Sequence, residues 1–440
     1  MNPSFAPISA LASICILALV LAGCTSTGGP GPFTGATVPP TATVTITSPP
    51  AVPAVPGKSV VDANNLFALD LYAHLAGDPM YHGDNIFFSP YSISTALAIT
   101  YEGARGQTAD EIRSVFHFPG NGTVLRSGYR DLIACINGRA EACTLRTANA
   151  LWAEKTYPFL PDYINTAETW FGARTTNLDF VNAPDESRIV INRWVEAQTE
   201  DRIRDLIPPD AIDSSTALVI TNAIYFKGTW EKQFDPALTR DADFLTSNGA
   251  TVRVPMMQRT DDAAVFGYAE TDSFQVLEMP YESGNGTGLS MLVILPREND
   301  TASVTQPFDI ETLQEIRQSL VLRTVRVYIP KFTMERKYFL PRTLSEMGMP
   351  HAFTPGADFS GMDGSRDLFI TNVIHQAFVE VNEEGTEAAA ATAVIMGKGL
   401  SHIEEEIPVF RADHPFIFII QDRETGAILF MGRVSDPAIT

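Results

Sequence analysis

The side chains best suited to covalent or metal chemistry are sparse in these 440 residues and badly spaced for it. The seven histidines (His74, His82, His117, His351, His375, His402 and His414) stand singly, without the spacing that brings two imidazoles to one metal ion. Glu404, Glu405 and Glu406 are adjacent in sequence, which suits a solvated loop better than an acid–base pair facing across a cleft. There is no Gly-x-Ser-x-Gly elbow, His-Glu-x-x-His pair, phosphate-binding loop, Cys-x-x-Cys pair or dinucleotide fingerprint. The chain therefore does not read as an enzyme, and no metal or cofactor is expected.

One stretch has a pattern that demands a use. Residues 383–400 run EEGTEAAAATAVIMGKGL. Alanine has the highest intrinsic helix propensity, so an alanine-rich helix is one reading. The other is a segment able to become a strand. Alternate residues from Thr386 are Thr386, Ala388, Ala390, Thr392, Val394 and Met396, all small or apolar. A strand sends such residues to one face, which could be buried without burying a charge. Glu387 falls on the opposite side, and Gly385 offers a permissive backbone at the start. Periodicity alone leaves both readings open.

The surrounding elements begin with an address. Residues 1–23 carry no charged side chain, and Ile8 to Ala22 is an apolar run of about 15 residues, short for a membrane span but suited to a secretory signal. It ends in Leu21-Ala22-Gly23-Cys24, which resembles a prokaryotic lipobox in which Cys24 is lipidated, although no Lys or Arg precedes the apolar run. An ordinary signal peptide with a coincidental cysteine is the alternative. Residues 24–58 are rich in Thr, Pro and Gly, an extended tether. Length alone suggests about three domains. No second linker interrupts residues 59–440, however, so they read as a single body.

Composition is globular, with 45% hydrophobic and 19% charged residues. The 52 acids against 31 Lys and Arg give a net charge of −21, which argues against a nucleic-acid partner. Four cysteines are too few for a disulfide scaffold. Apolar residues recur at helical spacing over Val60–Leu75; Ser89 and Pro90 read as the cap and first turn of another helix, and Ile189–Ile207 as an amphipathic outer helix. Ala217–Phe226, Gln275–Met279, Leu289–Leu295, Arg323–Ile329 and Phe416–Ile420 read as strands. The expected class is α+β, with large antiparallel sheets.

Residues 383–393 closely resemble the reactive-loop hinge of inhibitory serpins. Further blocks follow in that family's order: Asn85-Ile-Phe-Phe-Ser-Pro-Tyr-Ser92, Thr221-Asn222 through Phe226 to Trp230, Val254-Pro-Met-Met257, Phe369–Val381, His414-Pro-Phe416 and Phe430-Met-Gly432. The resemblance covers about 370 residues. It implies a single domain with three β-sheets, surrounding helices and an exposed reactive-centre loop. It also implies a function, suicide inhibition of a serine protease of trypsin-like, subtilisin-like or elastase-like type, by a monomer. In that family the target acylates its own serine on the loop, and the cut loop inserts into the main sheet and drags the protease with it. About 14 inserted residues would make a strand of roughly 45 Å.

The same resemblance assigns roles. Glu383, Gly385, Thr386, Ala388 and Ala390 form the loop hinge. Lys331, Trp230 and His414 lie where the sheet opens, with Glu383 and Lys331 as an ion pair. Ser89, Ser92, Asn222 and His375 form a polar gate beneath the parting strands. The scissile residue falls fourteen positions after Gly385, at Gly399 with the cut before Leu400; Lys398 suits an acidic trypsin-like pocket better, and Met396 is a third candidate. Cys135 and Cys143, separated by a short stretch in an exported chain, are expected to form a local disulfide, with two separate buried thiols as the alternative. A lipid anchor would be the only contact with a membrane, at the extracellular cell surface. A non-inhibitory binding or carrier protein of the same fold, or a surface lipoprotein hydrolase, are the competing functions.

Overall fold

The computed structural model describes residues 58–138, 144–283, 288–297, 309–386 and 406–439. Helix α1 (Lys58–Gly77) buries Val60, Phe67, Leu71, Tyr72 and Leu75. Its buried Asn64 and Asn65 grip Ile428: the Asn64 amide donates to the Ile428 carbonyl, and the Asn65 side-chain oxygen accepts from the Ile428 N–H, both at 2.9 Å. Helix α2 (Pro90–Gly103) starts as its sequence dictates, with Ser89 Oγ accepting from the Ser92 N–H at 3.1 Å and Pro90 in the first turn. Helices α3 (Gly106–Val115), α4 (Gly122–Asn137) and α5 (Pro161–Phe171) extend this layer. Elsewhere lie α6 (Pro184–Gln198), α7 (Ile310–Ser319), α8 (Pro341–Met347) and α9 (Ser360–Asp363).

Three sheets organise the rest, as the α+β reading expects. A seven-stranded antiparallel sheet runs β1 (Ile86–Phe88), β17 (Ile428–Val434), β16 (Phe416–Asp422), β9 (Leu289–Pro296), β8 (Phe274–Pro280), β7 (Val265–Glu270), β10 (Val321–Thr324). Strands β9, β16 and β17 are buried on both faces, which is why β9 and β16, the two read as strands from the sequence, are so rich in apolar residues. A four-stranded sheet runs β15 (Val409–Arg411), β11 (Arg326–Pro330), β6 (Thr251–Arg259), β5 (Arg240–Leu245). The third has six strands: β12 (Phe332–Phe339), β13 (Ile374–Val381), β14 (Gly385–Thr386), β4 (Leu218–Thr229), β2 (Thr144–Glu154), β3 (Arg174–Leu178).

The six-stranded sheet separates two cores. Leu151 joins the main core, while its neighbours Ala150 and Trp152 point to the other face. There they meet Ile191 and Val195 of α6 and Ile203, Leu206, Ile207 and Ile212 beyond it.

Two sequence boundaries are corrected. The outer helix expected over Ile189–Ile207 stops at Gln198, and Glu200 and Asp201 turn into left-handed backbone at φ 49° and 61°. The strand expected over Arg323–Ile329 breaks at Val325, whose buried N–H donates to the Ala264 carbonyl at 2.9 Å, so that β10 and β11 join different sheets.

Candidate functional site

The hinge is already a strand. Gly385 and Thr386 form β14, a two-residue wedge between β13 and β4, with Thr386 opposite both Val381 and Gly228 and Gly385 opposite Thr229. Of the two readings open at residues 383–400, this end takes the strand. Gly385 is required by close approach more than by freedom to bend: a Cβ here would lie 2.0 Å from the Gly228 carbonyl oxygen and 2.8 Å from Thr229 Cα. The turn before it is closed by Asn382, whose N–H donates to the Gly385 carbonyl at 2.9 Å while its side-chain oxygen accepts from the Glu384 and Gly385 N–H groups.

Trp230 closes the top of this wedge. Its backbone N–H donates to the Glu384 carbonyl at 2.8 Å and its indole N–H to the Asn382 carbonyl at 3.0 Å. Its ring stacks on Tyr281 with centroids 4.5 Å apart. The Tyr281 hydroxyl in turn shares a 2.8 Å hydrogen bond with that of Thr386, which is only 1% exposed. Glu383 is held by Lys331 Nζ at 2.7 Å, by the Thr239 hydroxyl donating at 2.8 Å, and through its carbonyl by the Phe234 N–H. Burial works against its charge, but Lys331 and Thr239 outweigh burial and keep the carboxyl below its usual range.

The four residues expected to form a polar gate lie deeper. His375 on β13 is buried, and its Nε2 accepts from the Ser89 N–H at 3.0 Å; burial pushes its pKa down to about 3, so it is neutral. The Ser89 hydroxyl donates to the Leu429 carbonyl at 2.6 Å, and buried Ser92 completes the group. The backbone of Asn222 stands on β4 opposite Asn149; its side chain is outside the described residues.

His414 spends its ring elsewhere than on the hinge, with Nδ1 2.9 Å from Asp413 and Nε2 2.7 Å from the Pro296 carbonyl. Burial alone would lower its pKa, but these two acceptors raise it. Residues Ala388, Ala390, Met396, Lys398, Gly399 and Leu400 lie outside the described residues, as do Cys24 and Cys143; Cys135 sits half-buried on α4. Among the described residues no group of His, Cys, Asp and Glu could hold a metal ion.

The sequence reading missed Tyr281, Thr239 and Asn382. Only Asn382 carried a local signal, as a turn-forming residue beside Gly385; the other two are distant in sequence and are joined to the hinge by the sheet.

A family model described as Serpin (serine protease inhibitor) matches residues 62–437. A serpin-like protein of Methanosarcina mazei is 40% identical over 96% of both chains. Leukocyte elastase inhibitor A of Rattus norvegicus is 43% identical, covering 86% of this chain and all of that one. Among solved structures, human thyroxine-binding globulin complexed with thyroxine superposes with TM-score 0.76 at 31% identity, over 87% of this chain and 99% of that one. Uncleaved ovalbumin gives 0.74 at 32%, over 86% and 100%. With its family blocks in order, its three sheets and Gly385-Thr386 entering between β13 and β4, the chain belongs to the serpin family.

Proposed function

We propose that this protein inhibits serine proteases irreversibly, by offering its reactive loop as substrate and inserting the cut loop between β13 and β4. The observation that carries this is the register of β14. Continued down the seam, the pairing of Thr386 with Val381 and Gly228 sets Ala388 between Val379 and Phe226, Ala390 between Ala377 and Ile224, and Thr392 between His375 and Asn222. The β13 partners Val381, Val379, Ala377 and His375 are all buried. The loop residues that would face them are the small ones, so an inserted strand adds no charge to the core. The scissile bond falls at Lys398, Gly399 or Met396, and the inhibitor is exported and lipid-anchored through Cys24.

A non-inhibitory binding role has one feature in its favour, a cavity of about 340 Å³ lined by Arg317, Glu278 and Arg423. Its charged groups are already engaged, however: Arg423 donates to Glu278, and Arg317 donates to the Gln421 side-chain oxygen and the Gly426 carbonyl. A hinge built of small residues has no purpose in such a protein.

Incubation of the purified protein with trypsin, subtilisin, elastase and chymotrypsin tests the proposal. The expected result is an SDS-stable complex and a released C-terminal peptide whose mass identifies the cut bond. Clean cleavage without a complex, across a wider protease panel as well, would overturn it.

A further inference from the structure

The four-stranded sheet carries a local excess of cations on an acidic chain. Its strands hold five arginines and two aspartates, where the whole chain has a net charge of −21. Three of these arginines are engaged. Arg253 pairs with Asp243 at 3.3 Å, Arg259 lies 3.4 Å from Asp261, and Arg240 donates to the Ala237 and Thr239 carbonyls. Arg326 and Arg411 differ. Both are exposed, and among the described residues neither side chain has a carboxylate or hydrogen-bond partner. Strands β11 and β15 run parallel, with Arg326 opposite Val409 and Tyr328 opposite Arg411. Residues two apart on a strand share a face, so these four side chains stand together, while Val327 and Phe410 between them are buried on the other face. The Arg411 guanidinium lies 3.8 Å over the Tyr328 ring, and Val409 beside it is 44% exposed. Stacking covers the flat face of the guanidinium and leaves free its N–H edge, which fits a carboxylate.

We propose that Arg326 and Arg411 are a secondary docking site for the target protease, selecting enzymes that carry carboxylates beside the active-site cleft. This rests on the inhibitory reading above. Covalent continuity places the patch near the chemistry: Arg411 follows Leu400 by 11 residues, within roughly 40 Å even along a fully extended chain. A protease seated on the cut bond therefore comes within reach of β15. The negative field of the whole chain opposes an acidic enzyme, but at physiological salt it is screened beyond about 8 Å. At contact the two local cations decide the sign, and they have no ion pair of their own to give up. Removing them makes the chain more negative, which favours a basic protease and slows only one that meets the patch with acids.

Rates of SDS-stable complex formation test this, measured at low and high salt with the panel above and with anionic trypsin beside the cationic form. The variant Arg326→Gln/Arg411→Gln is compared with the wild type and with Arg113→Gln/Arg366→Gln, which carries the same change of charge on other parts of the surface. The first variant should trap anionic trypsin about tenfold more slowly, with the gap narrowing as salt rises, and should trap the cationic form no more slowly than the wild type does. The second should stay within about twofold of the wild type throughout. If the first variant traps every protease that the wild type traps at the wild-type rate, the docking site is wrong while inhibition stands. Equal slowing with both trypsins would also overturn it, since that would report a disturbed β15 rather than recognition of charge. If no protease forms a complex with the wild type, the inhibitory reading fails, and the docking site with it.

Discussion

At Thr386 the whole inhibitory reading narrows to one side chain. It sits in the seam, 1% exposed, with its hydroxyl bonded to that of Tyr281, and every later loop residue must follow it between β13 and β4. An arginine here would have to bury a charge in a seam whose nearby acid Glu383 is already taken by Lys331. Thr386→Arg should therefore be cleaved as an ordinary substrate, with complex formation lost and the moles of inhibitor consumed per mole of protease raised at least tenfold, whereas Thr386→Ser should inhibit as the wild type does. Gel quantification of complex against cleaved inhibitor checks both. Complex formation by the arginine variant at the wild-type level would contradict the burial of this position during insertion. The small residues expected to form the hinge were readable in the sequence. That Gly385 is fixed by the Gly228 carbonyl was not, because the constraint comes from a strand more than 150 positions away.

At the scale of elements, strands buried on both faces were the most legible, since an unbroken apolar run such as Met291–Leu295 has few other uses. The outer helix was overextended for a physical reason. Ile191, Val195, Ile203, Leu206 and Ile207 keep helical spacing and all enter one core, but the last three reach it through left-handed turns that periodicity does not register. The gate was named by resemblance, and its chemistry follows from the packing of β13 against α2. Neutral His375 accepts from the Ser89 N–H, and its pKa of about 3 lies below the ordinary 6.5. Unfolding then takes up a proton at any pH between those values. This part of the stability is complete above pH 6.5 and declines as pH falls toward 3, by up to about 1.4 kcal/mol per pH unit. Urea unfolding from pH 7 to pH 4 should show that slope, and His375→Asn should flatten it. An equal slope in the variant would mean that other groups carry the acid sensitivity.

For the whole molecule, the six-stranded sheet is unfinished in a specific sense. Among the described residues its third position is filled by Gly385 and Thr386, while β13 and β4 extend for 8 and 12 residues on either side. Completing it would place about ten more residues in a ladder; at a net ~1 kcal/mol each, that is on the order of 10 kcal/mol unavailable while the loop is intact. On the proposed insertion, the folded state is held by a barrier rather than by being the most stable arrangement. The acidity, −21 over the chain with no charged residue among the first 57, is a property of the surface and contributes nothing to this energy. Cutting the loop between residues 396 and 400 should therefore raise the calorimetric midpoint by roughly 10–20 °C for a domain of this size. Thr386→Arg cut at the same bond should remain near the midpoint of the intact protein, because its strand cannot enter. Equal midpoints for cut and uncut wild type would mean that the sheet does not accept the loop, and the stabilised form would then have no part in trapping a protease.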